Sequence, residues 1–308
     1  MREKSLRTQL PLTCDDIVEE IACFAGISRQ EAAHRVRREK ERPGWNVLQD
    51  VLRFGVTAHR YDKQMERLYQ EGEGFIFETL IFWARPNRRK WSQEALERLH
   101  RYARNNGVPA GKVRLLMLGD GSGNDSLFLA KHGFAVDYYD VPGSKIFEFA
   151  TRRFEAYGLL GNKINLIADL PSCLTGKYDA VLSFEVLEHL SEPRAAIGQM
   201  AAALKPKGIA LVTEDFGDLQ DYLPTHLEAT SKYFGLTPFL FLRHGLRLTW
   251  YSESELFRPS EYTKVRNVSI GDWISLYRDR VIRKRLYEGR VRQIQDWLAM
   301  RRPGKRES

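Results

Sequence analysis

The chain has 308 residues, 43% of them apolar, and its 48 basic side chains outnumber 40 acidic ones to give a net charge of +8. That length carries one large domain or a domain with a smaller cap, and no stretch approaches the roughly 18 uninterrupted apolar residues of a membrane span. Cys14, Cys23 and Cys173 are odd in number and form no CxxC pair, which argues against a disulfide framework and makes a reducing cytoplasm the default setting.

The first 110 residues read as a helical cap. Ser28 to Glu31 has the form of a capping box ahead of Ala32, Ala33 and Val36. Positions 44 to 52 follow the Pro43-Gly44 break and place Leu48, Val51 and Leu52 on one side of a second helix. Ser92 is the expected N-cap of a helix that ends at Asn105-Asn106-Gly107. The aromatic-rich stretch Phe75 to Trp83 reads as core between helices, with a lid over a ligand as the functional alternative.

From Val113 the texture changes. Short apolar runs at Val113–Leu118, Ala135–Asp140, Ile164–Asp169, Tyr178–Ser183 and Gly208–Thr213 alternate with helical stretches at Ser126–His132, Ser144–Tyr157 and Pro193–Leu204. Phe239 to Leu248 reads as a last helix leading into a sixth strand. This alternation predicts an α/β fold: a doubly wound, mostly parallel sheet with helices on both faces, and a ligand site beyond the carboxyl ends of the strands. The expected division is a cap over 1–110, an α/β core over 111–270 and a basic helical tail over 271–308.

Between Arg278 and the end, eleven basic residues face four acids, a net +7. Val281, Ile282, Leu286, Val291, Ile294, Trp297 and Leu298 interleave with them as in an amphipathic helix. The readings open here are docking on the core, an anionic membrane surface, and nucleic acid.

The motifs that carry chemistry sit at strand ends. Gly119-Asp120-Gly121-Ser122-Gly123 follows the first strand and opens a helix, where glycines let the backbone turn tightly and approach a ligand. Asp140, about 20 residues on at the end of the second strand, suits a ribose diol. Asp169 ends the third strand, Glu185-x-x-Glu188-His189 follows the fourth, and Leu204-Lys-Pro-Lys-Gly208 precedes the fifth. This ordered set, over about residues 113 to 215, resembles the class I S-adenosylmethionine-dependent methyltransferases, which have a Rossmann-like fold. The resemblance implies that Gly119, Gly121 and Gly123 line the methionine and ribose end of the cofactor, that Asp140 holds the ribose hydroxyls, and that Asp169 with Leu170 flanks the adenine. One departure stands out: family members carry an acid two positions before the first glycine, and this chain has Met117. Asp120, Ser122 and Glu185 are the candidates to replace it.

On the acceptor side, a helix starting near Val186 would point Glu185 and Glu188 or His189 the same way. Similar Glu-x-x-Glu-His sequences occur in ubiquinone-pathway O-methyltransferases and in enzymes that 2′-O-methylate small-RNA ends, where they bind a divalent metal. By that likeness Glu185, Glu188, His189 and His226 are the candidate ligands of Mg²⁺ or Mn²⁺. The metal-free alternative makes His189 or His226 a general base. His226, Lys232 and Tyr233, on the segment after the fifth strand, are candidate acceptor contacts. The favoured expectation is O-methylation of a small-molecule, sugar or glycan-type hydroxyl. Its rivals are an RNA 2′-O-methyltransferase and a non-catalytic cofactor-binding protein.

Overall fold

The computed structural model describes residues 10, 12–170, 175–251 and 259–278. Cys173 and the basic tail beyond Arg278 therefore lie outside the described residues. Six helices come first: α1 (Cys14–Ala25), α2 (Arg29–Glu41), α3 (Trp45–Phe54), α4 (Lys63–Glu71), α5 (Gly74–Ala84) and α6 (Pro86–Asn105). Their starts are set by local polar groups. Thr13 and Asp16 form a reciprocal capping box, Ser28 Oγ accepts from Glu31 N, and the Asp62 carboxylate accepts from Gln64 N and Met65 N. Ser92 does not cap α6. The helix starts at Pro86, whose missing N–H costs nothing in the first turn, and Ser92 is a buried interior residue.

Ile17, Ile21, Val36, Val47, Met65 and Leu68 from α1 to α4 close on Phe77, Leu80 and Ile81 of α5. Helix α5 is apolar nearly all round, so it runs through the middle of this core. The same core includes Ile146 and Phe149 from the helix after the second strand, so the helical region is packed onto the α/β unit.

The α/β unit runs β1 (Arg114–Leu118), α7 (Asn124–Lys131), β2 (Ala135–Tyr139), α8 (Lys145–Ala156), β3 (Ile164–Leu166), β4 (Tyr178–Phe184), α9 (Pro193–Ala203), β5 (Leu204–Thr213), α10 (Thr237–Arg243), β6 (Leu246–Trp250) and β7 (Ser260–Lys264). The sheet order is β3-β2-β1-β4-β5-β7-β6. The first five strands are parallel, and β7 lies antiparallel between β5 and β6. Side chains alternate between the two faces: Leu115 and Met117 pack with α6, α7 and α8, whereas Leu116 and Leu118 pack with α9 and α10. Chain direction reverses its walk between β1 and β4, which opens a crevice at their carboxyl ends.

Two features differ from expectation. Strand β3 stops at Leu166, because it is an edge strand paired only to β2. Strand β7 was not expected, since of its five residues only Tyr262 is buried, which gives no clear apolar run.

Candidate cofactor and acceptor site

The turn after β1 takes Gly119, Gly121 and Gly123 into the left-handed region, at φ 73°, 57° and 74°. Space demands glycine as well. A Cβ on Gly119 would sit 2.6 Å from Val186 Cγ2, and one on Gly123 would strike the Phe154 ring. Gly121 N donates to Asp140 Oδ2 (2.8 Å) and Val141 N to Asp140 Oδ1 (2.8 Å). The Asp140 carboxylate is thus fixed at the end of β2 against the loop, both lining the cavity.

The other loop side chains shape it from below. Asp120 turns to the N-terminus of α7 and accepts from Asp125 N (3.1 Å) and Ser126 N (2.7 Å). Ser122 is fully buried, and its hydroxyl accepts from Asn124 Nδ2 (2.8 Å) and from Thr79 of α5 (2.9 Å). Neither carries the free carboxylate that Met117 leaves missing. Met117 is itself packed in the core beneath the sheet.

The cofactor end contains a charged pair that the motifs did not indicate. Asp125 is buried and accepts from Trp83 Nε1 (3.1 Å), Arg88 Nη2 (2.5 Å) and Ser92 Oγ. Arg88 is also buried, with Trp91 (4.7 Å), Phe184 (5.4 Å) and Phe82 (5.7 Å) around its guanidinium. Its Nε and Nη1 meet no hydrogen-bond partner, and it lines the cavity beside Gly119 and Gly121. Asp125 meets the charge of this buried cation through one nitrogen, and the remaining donors stay unmet.

After β4 the chain does not begin the expected helix. Glu185 takes a left-handed φ of 56°, a strained value for a residue with a side chain, and a single 3₁₀ turn spans Leu187–His189. Glu185 therefore stands outside the cluster. The potential metal-binding atoms that lie within 4.8 Å of one another are those of Glu188, His189 and His226. Glu188 is fully buried and neither of its carboxylate oxygens has a hydrogen-bond partner. The imidazoles of His189 and His226 are 4.9 Å apart, nearly perpendicular. His189 Nδ1–H donates to Thr225 O (3.0 Å) and His226 Nδ1–H to Asp218 O (2.9 Å). Those bonds fix the tautomer and leave each Nε2 lone pair free.

The loop carrying His226 is held by the helical region. His59, at φ 65°, donates from its backbone to Pro224 O (2.7 Å) and from its ring to His226 O (2.9 Å), and its carbonyl accepts from Glu228 N (2.9 Å). Lys232 and Tyr233 do not reach the cavity; Tyr233 packs on Phe216 (5.7 Å). Asp169 is exposed and outside the cavity lining, where only its neighbour Leu170 appears.

Cofactor loop and histidines open into one cavity of about 1740 Å³, larger than a single drug-sized ligand needs. Its far wall is Tyr61, Tyr69, Phe75 and Tyr222, from the helical region and the loop after β5. The stretch Phe75–Trp83, as α5, is therefore both core and wall. Sequence patterning offered α5 as a lid over a ligand but missed α4 and Arg88 as site elements.

Burial moves the titrations. It raises Glu78 to about 8, helped by Glu39 and opposed by Arg85. It raises Asp120 to about 7 with help from Asp125, and Glu185 to about 7 against the bond from Thr213. It lowers His189 to about 3, with His226 adding to the effect, so the imidazole is neutral at physiological pH. A carboxyl raised on folding binds its proton more tightly in the folded state, so its contribution is lost as pH climbs through the raised value. His189 acts in the opposite sense, but only below its ordinary 6.5. The thermal midpoint of the ligand-free protein should therefore fall from pH 6.5 to about 8. Glu78→Gln should flatten that fall in calorimetric scans; an unchanged slope would contradict the assignment to Glu78.

The glycine turn lies at the sheet's switch point with Asp140 fixed against it, where this fold places a ligand. A family model described as a methyltransferase domain matches residues 83–283. The chain belongs to this family, the class I S-adenosylmethionine-dependent methyltransferases, and its seven-stranded sheet with one antiparallel strand is their fold. Among similar proteins is a ubiquinone biosynthesis O-methyltransferase of Caulobacter sp. (strain K31), 32% identical over 172 residues, 55% of this chain and 64% of that protein. Another, of Xanthomonas axonopodis pv. citri, is 32% identical over 100 residues, 32% of this chain and 41% of that protein. The chain thus spans less than two thirds of the length of these relatives. A methyltransferase structure from Aquifex aeolicus aligns at 16% identity and TM-score 0.45, covering 67% of this chain and 100% of that one.

Proposed function

We propose that this chain transfers the methyl group of S-adenosylmethionine to a hydroxyl of a small, aromatic acceptor. The observation that carries this reading is the pair of imidazoles, His189 and His226, which lie 4.9 Å apart with Nδ1 engaged and line the same cavity as the glycine turn. A hydroxyl is a poor nucleophile until it loses its proton; His226 Nε2 is the candidate to take it, because burial and His226 hold His189 near 3 and leave it a weak base. The acceptor oxygen forms the new bond to the methyl carbon, the carbon–sulfur bond breaks, and sulfur keeps the electron pair. Aromatic walls at Tyr61, Tyr69, Phe75 and Tyr222 suit a planar ring better than a sugar. The names of the relatives, ubiquinone biosynthesis O-methyltransferases, support an aryl hydroxyl.

For the cofactor, the reading assigns the ribose diol to Asp140, the methionine carboxylate to Arg88 and an adenine face to Leu170, with the glycine turn giving close backbone approach. For a divalent ion, the donor set fits. Two imidazole nitrogens with a carboxylate suit Mn²⁺ or Zn²⁺ more than Mg²⁺, which prefers oxygen. Such an ion supplies charge that lowers the pKa of a bound hydroxyl.

The test is turnover with a panel of catechols, phenols, sugars and amines, products read by mass spectrometry. Methyl ethers of the catechols or phenols support the reading; methylation of amines or sugars alone would overturn it. Calorimetric titration with S-adenosylhomocysteine should show micromolar binding, about 8 kcal/mol, lost in Asp140→Ala. Retained affinity in that variant would remove Asp140 from the ribose subsite.

A further inference from the structure

Helix 270–278 is apolar on two sides. One side anchors it: Leu276 is buried, Trp273 stacks on Phe239 (6.3 Å), and Asp272, bonded to Ser269 in the first turn, pairs with Arg247 (3.3 Å). The other side bears Ile270, Ile274 and Tyr277, at three- and four-residue spacing, exposed by 80%, 65% and 64%. A stripe of large apolar side chains held out on an anchored helix needs an apolar partner.

The surroundings of that helix are cationic. A groove of about 930 Å³ meets it at Arg247 and is lined also by Arg101, Lys207, Lys264 and Arg266, with Glu261 as its one carboxylate; Arg98 there is buried and paired with Glu94. The Arg247–Asp272 pair joins groove to helix. The sequence then continues from Arg278 with the +7 segment. The groove sits at Lys207, where β5 enters the sheet, and at Lys264, where β7 leaves it. That is the end of the sheet opposite the cavity.

We propose that helix 270–278 and the basic groove beside it dock the protein on an anionic lipid surface. Aliphatic and tyrosine side chains enter the headgroup–acyl boundary while neighbouring arginines and lysines meet lipid phosphates. A nucleic acid would satisfy the cations but offers the stripe no apolar phase. A second copy would bring a second set of cations against the first, which repel. Docked this way, the catalytic mouth faces away from the membrane.

The test uses the full chain and sedimentation with vesicles of phosphatidylcholine, with or without an equal part of phosphatidylglycerol. Binding should require phosphatidylglycerol and weaken as salt is raised. The triple variant Ile270→Ser, Ile274→Ser, Tyr277→Ser should lose at least about tenfold in partitioning while binding S-adenosylhomocysteine as the wild type does, which shows that it folds. Absence of binding to anionic vesicles overturns the proposal, as does equal binding by the variant. So does a wild-type dimer in sedimentation equilibrium that the variant turns into a monomer without any vesicle binding.

Discussion

Arg88→Gln should bind S-adenosylhomocysteine about a hundredfold more weakly than the wild type while binding 5′-methylthioadenosine equally well. The second ligand keeps the adenosine and the sulfur but has no carboxylate. The expectation follows from a guanidinium that is buried, tied to Asp125 through one nitrogen, and left with Nε and Nη1 unmet at the cavity wall. Buried donors of this kind are satisfied by a carboxylate, and the planar fork suits it better than lysine would. Removing the arginine also leaves Asp125 with only Trp83 and Ser92 as side-chain donors, so some loss of stability is expected. Calorimetry with both ligands separates the cases. Parallel loss of both would mean that Arg88 only maintains the pocket. No binding of either by the wild type would sink the cofactor assignment itself.

Addition of Mn²⁺ to chelator-stripped protein should raise its thermal midpoint, and Glu188→Gln or His226→Gln should abolish that response. Glu188 is the reason to expect a large effect. Its carboxylate is fully buried with both oxygens unpartnered, and burial with Glu185 nearby pushes its pKa well up. A cation reached by His189 and His226 on the same side would reverse that penalty. At a hundredfold excess over its Kd, a bound ion stabilises by about 2.7 kcal/mol, which scanning calorimetry resolves. If the wild type shows no shift, the Glu188, His189 and His226 cluster does not bind Mn²⁺.

Strand and motif placement was largely legible in the sequence because a sheet buried on both faces leaves short unbroken apolar runs, and because glycine alone tolerates the turn at Gly119 and Gly123. The joining of His189 with His226 was expected from the likeness to metal-binding Glu-x-x-Glu-His enzymes, and the two rings do lie 4.9 Å apart. What failed to show depended on three-dimensional context. Asp120 beside a cofactor glycine looks like a ligand contact until α7 presents its free amides to it. Glu185 was expected just before a helix that would align it with Glu188, but its backbone bonds to Thr213 accompany a left-handed turn, and the metal cluster loses one of four expected members. Arg88 is one of several arginines in its neighbourhood, and only the fold shows which one is buried against Asp125.

The region before β1 supplies Arg88, Tyr69 and Phe75 to the cavity wall and His59 to the loop that carries His226. Recombination that exchanged these helices for another set would therefore replace the wall beside the glycine turn together with the support of the His226 loop. New substrate ranges in such an architecture are more accessible by single replacements along α4, α5 and the loop before His226, where each change leaves the shared scaffold in place.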